Sequence, residues 1–368
     1  MNQIRDIIII RLDGLGDMIL WLSSLQHLRQ VYHHRHITVM IHDAWAPFLA
    51  NLNMVDDVIP IPFISNMQSF KKKRFYHLRF IILLLQVSWW ARQWRAAMVI
   101  HPTHARTLLS DLLATLIRSP IRWGVLGNQN NEWKKIQWIP GLRFKDMNQR
   151  YTHRVTGNPH MMVLPLNAHV TSTITAQPMA PSIINLREGI TTSPVSPPYI
   201  VWCPQAGDSR REWPLEKWEM VLTGLPIPII VVGIGQASVL LKKMIQRLAS
   251  NGQVLMDWLG QTTLSELANI ISHASLFLGN ESGLTHLASA LQIPSIMIIG
   301  GGHYSTYAPY VGVNGGPTVC KYELPCYGCN WRCHHKNYQS NQAYPCINMV
   351  DPNWVRQQIY QHLPRPTN

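Results

Sequence analysis

Runs of four to six apolar residues alternate along the chain with longer stretches whose apolar positions recur at helical spacing, which is the βαβ pattern. Asp6–Leu12 reads as a buried strand, followed by a glycine turn and a helix from about Asp17 to Val31. Further strands are predicted at Ile37–Ile41, Val58–Ile61, Ala96–Ile100 and Ile121–Val125, with a helical stretch Thr107–Arg118 between the last two. Asn158–Pro198 is rich in Pro, Ser and Thr and reads as a connector. The rhythm then restarts, with strands at Tyr199–Cys203, Ile227–Val232, Val254–Met256, Leu276–Leu278 and Ser295–Ile299. Helices are predicted between them at Pro214–Thr223, Ala237–Ser250, Leu264–His273 and Leu284–Leu291, and a last one over Asn353–His362. The fold class expected is α/β, two Rossmann-like βα domains with parallel sheets facing a central cleft. Their expected bounds are residues 1–165 and 199–350, with a connector over 166–198 and a C-terminal helix in 351–368.

Length and composition agree with this division. At 368 residues the chain is about twice the usual length of one domain. Hydrophobic residues make up 46%, enough for sizeable cores, and this excludes a disordered chain. The net charge of +13 is uneven. Residues 1–184 hold 20 basic and 9 acidic side chains, whereas residues 185–368 hold 12 and 10, so a basic surface belongs to the first half. The apolar run Ile7–Ile10 is too short for a signal peptide and is flanked by Asp6 and Asp13. Phe80–Ala91 is the longest lipid-like stretch, and a spanning helix needs about 20 residues. A cytoplasmic protein without a transmembrane segment is expected.

Candidate chemistry lies where strands give way to helices. Leu12–Asp17 follows the first strand, and Gly14 and Gly16 there allow close backbone approach, with Asp17 in the first turn of the helix. One reading is a dinucleotide fingerprint, but Ile19 stands where GxGxxG needs its third glycine. The other readings are a helix-start acid favoured by the helix dipole and a general base at the carboxyl end of the sheet. In the second half, Asn280–His286 opens a helix whose free N–H groups, near Ser282 and Gly283, suit a diphosphate. Ser282, Thr285 and His286 add donors, and Glu281 is a candidate acceptor for sugar or ribose hydroxyls. Gln205–Pro214 is a second such loop, with Arg210 and Arg211 as phosphate clamps. Gly233-Ile-Gly235 is a third. Three polar or glycine-rich strand ends in one sheet favour a nucleotide pocket.

At Arg11–Leu20, Arg211-Glu-Trp-Pro214 and Glu281–Leu291 the chain resembles glycosyltransferase family 9, the ADP-heptose–lipopolysaccharide heptosyltransferases among them. The resemblance implies a GT-B fold, an inverting mechanism and no required metal or other cofactor. It also implies an acceptor-binding first domain and a second domain that binds a nucleotide-sugar donor such as ADP-heptose. Asp17 would be the catalytic base, with Gly16, Arg210, Arg211, Glu281, Ser282, Gly283, Thr285 and His286 as donor-binding residues. Typical heptosyltransferases carry Asp-Thr-Gly where this chain has Glu281-Ser-Gly283, and Lys in place of Arg211. Two further readings stay open: an NAD-dependent Rossmann enzyme, and a non-catalytic membrane- or nucleic-acid-binding protein with a metal module.

Two segments lie outside these motifs. Met67–Arg95 holds Lys71, Lys72, Lys73, Arg74, Arg79, Arg92 and Arg95, no acid, and an apolar centre with Trp89 and Trp90. A basic, aromatic helix of this kind suits a membrane interface rich in anionic lipid. The protein is therefore expected on the inner face of the cytoplasmic membrane, its acceptor an anionic lipid-linked glycan, with no nucleic-acid partner. Cys320, Cys326, Cys329, Cys333 and Cys346 crowd into 27 residues. A structural thiol-rich loop is expected there, with a zinc or iron–sulfur site as the alternative.

Overall fold

The computed structural model describes residues 5–62, 76–127, 144–158, 161–188, 195–335 and 338–363. The chain divides into two compact units, Met1–Pro181 and Ser182–Asn368.

In the first unit β1 (Arg5–Arg11), β2 (Ile37–His42), β3 (Asp57–Ile61), β4 (Ala96–His101), β5 (Ile121–Leu126) and β6 (His153–Thr156) form one parallel sheet. Its order is β3-β2-β1-β4-β5-β6. Ile7–Ile10 are all buried because β1 is central and covered on both faces, hence the unbroken apolar run. β6 has one buried residue, Val155, which is why no apolar run announced it.

The connector expected over 166–198 is corrected in its first part, which continues a helix, Val163–Thr175. Pro165 sits in the first turn, where backbone N–H groups have no helical partner. The Ser172, Thr173 and Thr175 hydroxyls each donate to the carbonyl one turn back, at 2.8–2.9 Å, so the polar residues do not compete with the helix. This helix packs on Leu15–Val31, where Asn167 Nδ2 donates to the Leu20 carbonyl at 3.1 Å.

In the second unit β7 (Ile200–Cys203), β8 (Ile229–Val231), β9 (Leu255–Asp257), β10 (Leu276–Asn280), β11 (Ser295–Ile298) and β12 (Thr318–Cys320) are again all parallel. The order β12-β11-β10-β7-β8-β9 is that of the first unit read from the other edge. Trp202, Trp213 and Trp218 are buried in its core, to which the last helix, Pro352–His362, adds Val355 and Ile359. Each sheet reverses its winding once, between β1 and β4 and between β7 and β10. Open α/β sheets bind ligands at the carboxyl ends of the strands at that point.

Candidate functional site

The loops that leave β1, β7 and β10 carry the residues singled out by the sequence. In the first unit β1 ends on the buried Arg11, whose Nε lies 2.9 Å from Asp13 Oδ1. Its Nη2 donates to the main-chain oxygen of Asp17 at 2.9 Å, fixing the first turn of the helix Leu15–Val31. Asp17 is half-buried there, and Gly16 lies in the same turn. Asp13, which the motif reading passed over, is the perturbed acid. Burial pushes its carboxyl up to about 6, with the Arg11 charge opposing and the Asp17 charge assisting.

A second polar group of this unit was missed. His101 at the end of β4 meets the Tyr151 hydroxyl at 2.7 Å, and that hydroxyl donates to Asp111 at 2.6 Å. Arg106 Nε lies 3.2 Å from the same carboxylate, and all four residues are essentially inaccessible to solvent. Burial lowers the His101 imidazole and raises the Tyr151 phenol. An aspartate inside the apolar helix Leu108–Leu116 was the signal in the sequence.

In the second unit Asn280, fully buried, joins two loops. Its Oδ1 accepts from the Trp213 N–H at 2.9 Å and its Nδ2 donates to the Pro204 carbonyl at 2.6 Å. The loop after β7 is thereby held beside Glu281. A Cβ on Gly207 would stand 2.7 Å from Arg211 Nη2, so the glycine leaves room for the guanidinium where it lies. Gln205 Oε1 accepts from the Ile234 N–H at 2.7 Å, bringing in the loop that contains Gly233 and Gly235.

Glu281 is the centre of this arrangement. Arg211 Nη1 donates to its Oε2 at 3.1 Å, His303 Nδ1 lies 2.6 Å from the same oxygen, and His286 Nε2 is 3.3 Å from Oε1. Burial acts to raise the Glu281 carboxyl, but the charges and hydrogen bonds of His303 and His286 hold it well below the usual carboxylate range. Three of its four lone-pair positions are taken from within the protein. Glu281 is thus engaged by Arg211, His303 and His286, with one position left over. His286 is also inward, buried between Glu281 and the Tyr310 hydroxyl, and Thr285 donates to the Asn280 carbonyl at 2.7 Å. Ser282 stands at the N-cap of the helix Gly283–Ala290 without a side-chain capping bond, and its Oγ and Arg211 Nε have no hydrogen-bond partner. Arg210 donates to Asp208 and to the Tyr338 hydroxyl and lies over the Tyr344 ring.

The cysteine-rich tail forms one wall of this site. A Cβ on Gly302 would fall 2.3 Å from the Trp331 ring, and one on Gly301 2.4 Å from Tyr327. Trp331 stacks edge-on against His303 at 5.0 Å between ring centres and lies 5.6 Å from the Arg211 guanidinium. Cys320 and Cys346 are buried, Cys326, Cys329 and Cys333 are half-buried, and all are free thiols. Burial raises the Cys346 thiol, and Cys329, Cys326 and Cys333 are near enough to raise it further. Among the described residues no group of three or more His, Cys, Asp or Glu is arranged to hold a metal ion. Lys71, Lys72, Lys73 and Arg74 lie outside the described residues, as does the side chain of Arg79.

Residues 152–328 match the family model described as glycosyltransferase family 9 (heptosyltransferase). The match spans just under half of the chain. Among solved structures it is similar to the family 9 glycosyltransferase of Veillonella parvula, at 16% identity and a TM-score of 0.67, with 98% of each chain covered. It is similar also to E. coli heptosyltransferase WaaC with ADP-2-deoxy-2-fluoro heptose, at 15% identity and a TM-score of 0.66, over 97% of this chain and 100% of that one. The iron-containing dodecameric glycosyltransferase TibC of enterotoxigenic E. coli aligns at 15% identity and a TM-score of 0.54, over 98% and 77%. These likenesses establish the fold, GT-B, with its two Rossmann-like βα units. No curated protein matches the sequence.

Proposed function

We propose that this family 9 glycosyltransferase moves a sugar, heptose or a close relative, with inversion, from a nucleoside-diphosphate donor to an anionic lipid-linked glycan such as a lipopolysaccharide core. The carrying observation is Arg211, oriented by Glu281 at the switch point of the second sheet beside the start of the helix Gly283–Ala290. A fixed guanidinium and unpaired backbone N–H groups suit a diphosphate. The orphan Ser282 hydroxyl and Arg211 Nε are polar atoms that an anion would satisfy. WaaC is described with an ADP-heptose analogue, which supports an ADP-linked donor here.

In the reaction, the acceptor oxygen bonds to the anomeric carbon as the bond from that carbon to the phosphate oxygen breaks. Asp17 takes the hydroxyl proton, and Arg211 with the helix start steadies the departing diphosphate. The acceptor belongs to the first unit, whose residues 1–181 carry a surplus of 11 basic side chains. The helix Tyr76–Ala91 supports placement on the inner face of the cytoplasmic membrane: Ile81, Ile82, Leu85 and Trp89 are exposed on it while Leu83, Leu84, Val87 and Ala91 are buried. No helix among the described residues is long and apolar enough to cross a membrane.

The test is a melting-temperature panel with ADP, UDP, GDP, CMP and NAD. A ligand at a hundred times its dissociation constant stabilises by about 2.7 kcal/mol. Protection by one nucleoside diphosphate supports the transferase and identifies the donor base. Protection by NAD alone would overturn it.

A further inference from the structure

The turn after β8 is held from two sides. Gln205, in the loop after β7, grips the Ile234 backbone at both ends: its Oε1 accepts from the Ile234 N–H at 2.7 Å and its Nε2 donates to the Ile234 carbonyl at 3.1 Å. From the β9 side the Gly260 N–H donates to the Gly233 carbonyl at 3.0 Å. A Cβ on Gly260 would stand 2.4 Å from the Gly235 carbonyl oxygen, and the two glycines lie in the left-handed region, at φ 66° and 68°. This fixed backbone turns an apolar side chain outward. Ile234 is 79% exposed, more than any other large apolar residue described. Val239 and Leu240, in the first turn of the helix Val239–Ser250, are 70% and 69% exposed. Three such side chains within seven residues of a rigid turn are the arrangement of a binding face rather than of a solvated loop.

A diphosphate held by Arg211 and the start of the helix Gly283–Ala290 lies over the ends of β7 and β10. The sheet order β12-β11-β10-β7-β8-β9 gives the nucleoside two ways to run along the strand ends, toward β11 or toward β8. The β11 side is walled by Trp331 and Tyr327, whose rings stand where Cβ atoms on Gly302 and Gly301 would be. Trp331 there is 5.0 Å from the His303 ring centre and 5.6 Å from the Arg211 guanidinium. On the β8 side, the loop that carries Arg211 leads through Gln205 to Ile234, on the next strand end, about 4.8 Å from β7. A nucleobase has two flat apolar faces and packs on such a surface without a charged partner.

We propose that Ile234 is a binding residue for the donor's nucleobase, the shelf against which one face of the base rests. This rests on the donor-site reading above, which it deepens by placing the base on the β8 side of the diphosphate.

The experiment is titration calorimetry of the full chain with ADP, UDP, GDP and CDP, and with ribose 5-diphosphate, which lacks the base. The wild type, Ile234→Ser, Ile234→Leu and Val311→Ser are compared. Val311 is 67% exposed between β11 and β12, on the opposite side of the switch point. At these exposures each variant should melt within about 2 °C of the wild type. For the nucleoside diphosphate that binds, Ile234→Ser should weaken binding about fivefold, the factor for roughly 40 Å² of apolar surface covered by a base. Ile234→Leu and Val311→Ser should stay within about twofold. Ribose 5-diphosphate should bind more weakly than the nucleotide and equally to all four proteins. Unchanged nucleotide affinity in Ile234→Ser, or a loss shared by ribose 5-diphosphate, overturns the shelf and leaves the donor site standing. So does a wild type that binds ribose 5-diphosphate as tightly as the nucleotide, or a loss seen in Val311→Ser instead. Absence of binding by every diphosphate to the wild type overturns the donor site, and the shelf with it.

Discussion

Asp17 and Asp13 lie four residues apart after β1 and lead to different predictions. If Asp17 takes the acceptor proton, Asp17→Asn should lower kcat by a factor of about 100 to 10,000. Nucleotide affinity should hold within twofold, and retained turnover would remove Asp17 from the mechanism. Asp13 predicts a pH dependence instead. Its folded carboxyl is raised to about 6 from an unfolded value near 3.8, so the folded state holds the extra proton between these values. Its contribution is therefore complete below pH 3.8 and is lost as pH rises through 6, about 3 kcal/mol in all. In Asp13→Asn that slope should vanish. Urea midpoints measured from pH 4 to 7 should move in the variant's favour as pH rises, and a constant offset would refute the assignment. The positions of Asp17, Arg211 and Glu281 after β1, β7 and β10 were legible in the sequence. The contacts of Glu281 were not, because they are made with His303 and His286, which lie 22 and five residues away.

At the scale of elements, the buried strands were legible because parallel strands covered on both faces leave unbroken apolar runs. The helix Val163–Thr175 was hidden by its threonines, whose hydroxyls are satisfied one turn back and send no signal in composition. The helix Tyr76–Ala91 shows a different failing of periodicity. It is apolar on both faces, and only the structure separates the packed face from the exposed one. Leu85 and Trp89 are 65% and 69% exposed, so replacing both by Glu removes little packing. If this face lies in the lipid interface, Leu85→Glu/Trp89→Glu should abolish co-sedimentation with anionic vesicles at low salt while the melting temperature stays within about 2 °C. Wild-type protein that stays in the supernatant, or a variant that still sediments, would refute the membrane face.

The whole molecule uses one topology twice and loads it differently. Both units wind their sheets in the same order, put polar loops at the switch point and bury an ionic group after the matching strand, His101–Tyr151–Asp111–Arg106 after β4 and Glu281–His286–Tyr310 after β10, but the basic surplus belongs to the first. Whether the His101–Tyr151–Asp111–Arg106 group is catalytic or structural follows from its energetics. Breaking a buried ion pair on one side costs about 3–5 kcal/mol, whereas replacing both partners by apolar residues is often neutral. Asp111→Asn should therefore lower the first unit's unfolding temperature by roughly 10 °C in calorimetry, at about 2–4 °C per kcal/mol for a unit of this size. Arg106→Met/Asp111→Leu should recover most of that loss. Turnover then decides between the roles. A double variant that is stable and active makes the group a structural tie between β4 and the helix Leu108–Leu116. One that is stable but has lost acceptor affinity makes it part of the acceptor site, supporting Asp17 from beneath the adjoining strand.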